Sequence, residues 1–236
     1  MSDQDRTEAH DEGPNTARDE SWLSRWEEGR TAWHRDEVHP VLEAHVGSWQ
    51  RVLVPLCGAS LDLAWLSERD MDVVGVELAE IACRQLFAQW GREPDIDTLS
   101  AAGQSYTCYR ASRLTVLQGD MLALGTEHAG SADAVWDRGS LVALDPSLRP
   151  AYQAALSRVA PGAELLLVTF SYDDDVMSGP PFSVSDAYIR QSYDEIEPLG
   201  EEDMTGVLQE RSIAPKGAGD RPMILQRAYR ARIRPL

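Results

Sequence analysis

The sequence runs to 236 residues, with 22 Lys plus Arg against 39 Asp plus Glu and a formal net charge of -17. That length suits one α/β domain with a full core, and the acid excess repels polyanions, which excludes DNA and RNA as partners. Cys57, Cys83 and Cys108 are too widely spaced for a disulfide framework or a C-x-x-C metal pair, and no basic-then-apolar leader or membrane-length apolar run occurs, so a soluble, cytoplasmic monomer with no membrane partner is expected.

Residues 1–20 hold almost nothing apolar and read as a mobile acidic tail. Residues 21–236 then make up the domain, with lid helices at 21–50. Ser21 suits the cap of a helix carrying Trp22, Leu23 and Trp26, the two tryptophans four apart on one face. The segment Gly29 to His34 breaks that pattern. Three tryptophans, Trp22, Trp26 and Trp33, ahead of the first strand leave two readings open: packing against the sheet, or an aromatic lid over a bound cation. His34, His39 and His45 lack partners at ligand spacing, so no metal site is expected.

Arg51 to Val54 is a short β-branched run stopped by Pro55, which makes it a buried strand. Beyond a turn at Gly58, Leu61, Ala64, Trp65 and Leu66 recur at helical period. Val73 to Val76 is the next strand, and it ends on Glu77, roughly 20 residues after the glycine. A glycine there lets backbone and ligand approach closely, and a carboxylate at the end of the adjacent parallel strand can accept from both ribose hydroxyls. Neither G-x-G-x-x-G nor G-K-[ST] is present, so nothing cradles a phosphate chain. The pocket suits a nucleoside without one, and S-adenosylmethionine is the common cofactor of that description. An ordinary βαβ unit in which Gly58 merely turns the chain is the alternative.

Glu80 to Trp90 is an amphipathic helix, and Gly91 to Arg113 reads as a polar insertion. Leu114 to Gln118 is a third strand running into Gly119-Asp120-Met121. Asp120 is placed to accept from an adenine amino group with Met121 on the ring, and a plain turn with a core methionine fits equally. Ala132 to Asp137 is a fourth strand whose carboxyl end presents Arg138, where open α/β sheets place their chemistry. Pairing between Arg138 and Asp137 is the bland reading. A helix at Pro146 to Val159 and a fifth strand at Glu164 to Phe170 lead into a loop stiffened by Pro180-Pro181, suited to walling a substrate pocket. A helix at Ser185 to Tyr193 follows. Strands at Thr205 to Ile213 and Met223 to Ile233, joined by a loop at Pro215 to Pro222, then read as a terminal antiparallel hairpin. The expected fold is α/β: a Rossmann-like, mostly parallel seven-stranded sheet of the class I methyltransferase layout.

Several short motifs occur in order. They are Trp22-x-x-x-Trp26, Gly29-x-Thr31-Ala32-Trp33-His34, Val54-Pro55-Leu56-Cys57-Gly58-x-Ser60-Leu61-Asp62, Val74-Gly75-Val76-Glu77, Trp136-Asp137-Arg138-Gly139 and Gly179-Pro180-Pro181-Phe182. As a set, from about Trp22 onward, they resemble the thiopurine S-methyltransferase family. The resemblance implies an enzyme that uses S-adenosylmethionine and releases S-adenosylhomocysteine. Its methyl acceptor would be a small aromatic or heterocyclic thiol, or a selenium or tellurium oxyanion. It implies cofactor contacts at Trp22, Trp26, Trp33, Leu56, Gly58, Glu77, Leu78, Asp120, Met121 and Arg138. Acceptor contacts would come from Trp33, Arg138, Pro180 and Phe182, with Arg138 as the catalytic residue. Two positions depart from the family pattern: Ala59 replaces its usual lysine and Trp33 its usual phenylalanine. A related thiol or halide methyltransferase and a non-catalytic nucleoside-binding protein are the competing readings, and a nicotinamide oxidoreductase is disfavoured by the missing glycines.

Overall fold

In the computed structural model of the protein, the described residues are 14–173, 175–214 and 224–235. The expected tail through residue 13 and the expected loop at 215–222 lie outside them.

Parallel strands that are covered on both faces must be apolar nearly throughout, and four segments satisfy this. They are β1 (Arg51–Val54), β2 (Asp72–Glu77), β6 (Ala134–Arg138) and β7 (Glu164–Ser171), each buried along most of its length. Five more strands complete the set: β3 (Asp95–Ala101), β4 (Gln104–Ala111), β5 (Leu114–Gln118), β8 (Tyr193–Asp203) and β9 (Leu225–Ile233). One sheet holds all nine in the order β3-β4-β5-β2-β1-β6-β7-β9-β8. From β5 to β7 the neighbours run parallel. The strand β9 lies antiparallel between β7 and β8, so the seven strands from β5 to β8 reproduce the expected layout. Side chains alternate between faces: Leu165 and Leu167 of β7 join one apolar cluster with Val74 and Tyr152, while Leu166 and Val168 join another with Trp26, Leu63 and Phe87.

Helices occupy the crossovers. In chain order they are α1 (Pro14–Glu27), α2 (Pro40–His45), α3 (Asp62–Ser67), α4 (Glu80–Trp90), α5 (Thr126–Ala129), α6 (Ser140–Ala143), α7 (Arg149–Val159), α8 (Asp186–Ser192) and α9 (Thr205–Glu210). Among the described residues no helix is long and apolar enough to cross a membrane.

Three sequence expectations need correction. First, α1 begins at Pro14 and not at Ser21; proline tolerates a first helical turn because its missing N–H would have no partner there. Second, Gly91 to Arg113 is not an irregular insertion but the antiparallel hairpin β3–β4, closed by Ala102-Gly103 with positive φ at both residues, as a two-residue hairpin turn requires. It lengthens the sheet from the expected seven strands to nine. Third, Thr205 to Ile213 is not a strand: Thr205–Glu210 is helix α9, and the partner of β9 is the upstream, acid-rich β8. The arginines of β9 draw it there. Arg230 meets Glu197 at 3.1 Å and Arg232 meets Glu195 at 2.6 Å across the pair. Exposed cross-strand ion pairs of this kind select a register more than they add stability.

Candidate functional site

Strand order reverses around β1, between β2 and β6, and the crevice outside the carboxyl ends at such a point is where open α/β sheets bind ligands. A cavity of about 590 Å³ lies there, a size that suits a small organic ligand.

One end is built from the two turns that follow β1 and β2. After β1 the chain takes positive φ at Leu56 and again at Gly58. A side chain at Gly58 would be strained by that φ, and its Cβ would lie 3.2 Å from Cζ2 of Trp26, so the indole sits directly on the turn. The Gly58 amide donates to Oε2 of Glu77 at 2.8 Å, and the Ala79 amide donates to Oε1 at 2.8 Å. Burial pushes the Glu77 carboxyl up, while the N–H groups of Ala79, Gly58 and Leu78 pull it back down. Each carboxylate oxygen has a second lone pair, and Glu77 lines the cavity with Leu56, Gly58 and Leu78. After β5, Asp120 caps a short 3-10 turn (Met121–Ala123), its Oδ1 accepting from the Leu122 amide at 2.9 Å. The hydroxyl of Tyr106 donates to the Asp120 carbonyl at 2.8 Å. Both Asp120 and the buried Met121 line the cavity beside Glu77.

A tryptophan cluster roofs this end. Trp33 meets Trp22 and Trp26 edge to face, with ring centroids 5.3 and 6.1 Å apart, and all three line the cavity. Trp26 is also buried in the core, as the packing reading expected, while its ring faces the cavity. The segment is tied to the sheet through Asp62: Oδ1 accepts from the His39 amide and Oδ2 from the Trp136 indole, each at 2.8 Å.

The other end centres on Arg138, at the end of β6. Its expected bland partner, Asp137, is engaged elsewhere: Oδ2 accepts from the Tyr152 hydroxyl at 2.7 Å, and Oδ1 accepts from the Ser140 and Leu141 amides that open α6. Arg138 instead donates through Nη2 to the Trp33 carbonyl at 3.1 Å. Burial pulls its guanidinium down to about 10; Asp62 opposes this, and Arg35 and Arg211 add to it. It remains a cation at neutral pH.

Pro180 lines the cavity as expected, but Phe182 does not. Its amide donates to the Val142 carbonyl at 2.6 Å, and its ring folds back against Gly179. Sequence reasoning missed the wall formed by Val207, Leu208 and Arg211, because α9 had been expected as a strand. Arg211 donates from Nη1 to the Ala32 and His34 carbonyls at 3.2 and 3.3 Å. The i, i+4 spacing of Val207 and Arg211 was the available helical signal.

A sequence model of the family thiopurine S-methyltransferase (TPMT) matches residues 17–227. The thiopurine S-methyltransferase of Pseudomonas paraeruginosa is 42% identical over 195 residues, covering 79% of this chain and 88% of the relative. A probable thiopurine S-methyltransferase of Yarrowia lipolytica is 34% identical over 204 residues, covering 83% and 95%. Among solved structures, a Burkholderia thailandensis 1,6-didemethyltoxoflavin-N1-methyltransferase with bound 1,6-didemethyltoxoflavin and S-adenosylhomocysteine aligns with TM-score 0.59 at 19% identity, covering 96% and 93% of the two chains. A SAM-dependent methyltransferase of Methanosarcina mazei aligns at 0.53 and 14%, covering 85% of this chain and 100% of that one. At such identities the structural likeness concerns the fold.

Proposed function

The chain belongs to the thiopurine S-methyltransferase family, and from that premise we propose that it transfers a methyl group from S-adenosylmethionine to the sulfur of an aromatic or heterocyclic thiol, or to a selenium or tellurium oxyanion. When bound, S-adenosylmethionine supplies an electrophilic methyl group on a sulfonium. The donor set fits its nucleoside: Glu77, pinned by two backbone N–H groups, keeps lone pairs for a ribose diol, and no glycine-rich cradle awaits a phosphate. That carboxylate is the observation that carries the reading.

In this assignment Glu77 binds the sugar with Leu56, Gly58 and Leu78 beneath it, and Asp120 and Met121 flank the adenine. Trp22, Trp26 and Trp33 cover the sulfonium, a cation to which indole faces are attracted. The 21–50 segment thereby acts as a lid. Arg138 holds the anionic acceptor, and Pro180 closes its side of the pocket. The acceptor's sulfur lone pair forms the new bond to the methyl carbon, and the pair of the broken carbon–sulfur bond stays with the departing sulfur. Anion and cation become two neutral thioethers, so the residues contribute chiefly by aligning the reactants and excluding water. An aryl thiol is acidic enough to give its proton to water, and no side chain has to remove it.

Calorimetry with S-adenosylhomocysteine, followed by methyl transfer to thiophenol and a thiopurine, tests this. Binding heat and a methyl thioether product are expected. Absence of binding heat would sink the assignment of Glu77, and binding without any product would sink the transfer.

A further inference from the structure

The acceptor end of the cavity holds more cations than a simple thiolate requires. Arg35, Arg138 and Arg211 all line it, in a chain of net charge -17. Two of them already hold the lid: Arg138 donates to the carbonyl of Trp33, and Arg211 donates to those of Ala32 and His34. Arg35 differs. Its Nε is buried without a hydrogen-bond partner, and among the described residues none of the three has a carboxylate within ion-pair distance. The carboxylate whose charge most offsets that of Arg138 is Asp62, and both its oxygens are engaged by His39 and Trp136.

Buried charges are tolerated when they are paired. With the proposed ligands in place, the cofactor brings one carboxylate and the acceptor one thiolate, two anions against three guanidinium groups. The cofactor's sulfonium and ammonium add further positive charge. Positive charge is left over, and the Nε of Arg35 is the donor left unpaired. We infer, resting on the thiol reading above, that Arg35 binds a second anionic group on the methyl acceptor, making the preferred substrate an aromatic thiol that also carries a carboxylate or sulfonate. The planar guanidinium fork, with Nε–H as one tine, matches such a group in a bidentate pair.

The probes are 3- and 4-mercaptobenzoate, their methyl esters as neutral counterparts of nearly the same shape, and thiophenol. The intact enzyme should show a kcat/KM for at least one mercaptobenzoate about tenfold or more above that for its ester, the size of one charge-assisted contact. In Arg35→Gln that ratio should collapse to about threefold or less, chiefly through KM for the acid. Arg35→Lys, which keeps the charge and loses the fork, should fall between. Affinity for S-adenosylhomocysteine, read by calorimetry on each variant, reports whether the fold and the nucleoside end are intact. Equal turnover of acid and ester by the intact enzyme, or equal loss for both in Arg35→Gln, would overturn the second-anion assignment while leaving the thiol reading standing. Failure to methylate any of the probes, thiophenol included, would instead overturn the thiol reading and this inference with it.

Discussion

The two ends of the cavity are built on opposite plans. At the Glu77 end each side chain is fixed by backbone of the turns that follow the strand ends: the Glu77 carboxylate by Gly58 and Ala79, and Asp120 by Leu122. At the Arg138 end the cations reach across long stretches of chain to carbonyls at Ala32, Trp33 and His34. The first end is set by the strand ends; the second depends on residues 32–34 lying against Arg138 and Arg211. On the proposed reading, binding of the nucleoside and selection of the acceptor are therefore separable. Substituting Glu77 should break the first end alone and have the largest effect. Glu77→Ala removes the partner of two amides and, on the proposed reading, the acceptor for the ribose diol, so affinity for S-adenosylhomocysteine should fall by about 3 kcal/mol or more, read by calorimetry. Glu77→Gln should fall short of that loss. An unchanged affinity in Glu77→Ala would mean that the two ends are not built as described.

Substitution of Arg138 sharpens the contrast from the other side. Arg138→Ala should lower kcat/KM for an aryl thiolate by about 1.5 to 3 kcal/mol, by a similar factor whether or not the ring carries a second charge. The sign of the pH dependence follows from its guanidinium being pulled down to about 10. A base with a lowered pKa loses its charge as pH rises through that value, so kcat/KM for the anion should fall off above about pH 10. The alanine variant should lack that limb. A variant as active as the parent at neutral pH would remove Arg138 from the acceptor site.

How much was legible in the sequence follows the same division. Gly58 and Glu77 stand out because a turn glycine and a strand-terminal carboxylate are local signals, each read from a few residues around it. Asp120, Met121 and Arg138 follow β5 and β6 for the same reason. Arg211 was invisible because its partners lie far along the chain and it caps α9, whose short apolar run alternates well enough to pass for a strand; Arg35 was invisible because no local pattern around it marks a residue that faces the cavity. The β3–β4 hairpin was missed because β3 is an edge strand, exposed along most of its length, with few apolar residues to betray its period. Phe182 was read as facing the pocket from its place beside the diproline, whereas the positive φ at Gly179 lets its ring fold back on its own loop.

The join between the two ends offers the smallest effect and the most discriminating one. His39 caps α2, its Nδ1 accepting from the Val41 amide at 3.2 Å, while its own amide holds Asp62. Burial, with repulsion from Arg138 and Arg35, pushes its imidazole down to about 3. The folded protein therefore keeps His39 neutral over a range in which the unfolded chain, titrating near the ordinary value of about 6.5, binds a proton. The stability this confers is fully present above about pH 6.5 and is lost as pH falls towards 3, by at most about 1.4 kcal/mol per pH unit. Urea midpoints taken between pH 7 and 4.5 should fall less steeply in His39→Asn, which preserves a capping acceptor and cannot titrate. Because His39 touches the lid's anchor and not Glu77, the same variant should keep its affinity for S-adenosylhomocysteine within about threefold at pH 7. A slope identical to the parent's would show that His39 does not carry the acid sensitivity of the lid anchor, and a large loss of cofactor affinity would show that the two ends are coupled through it.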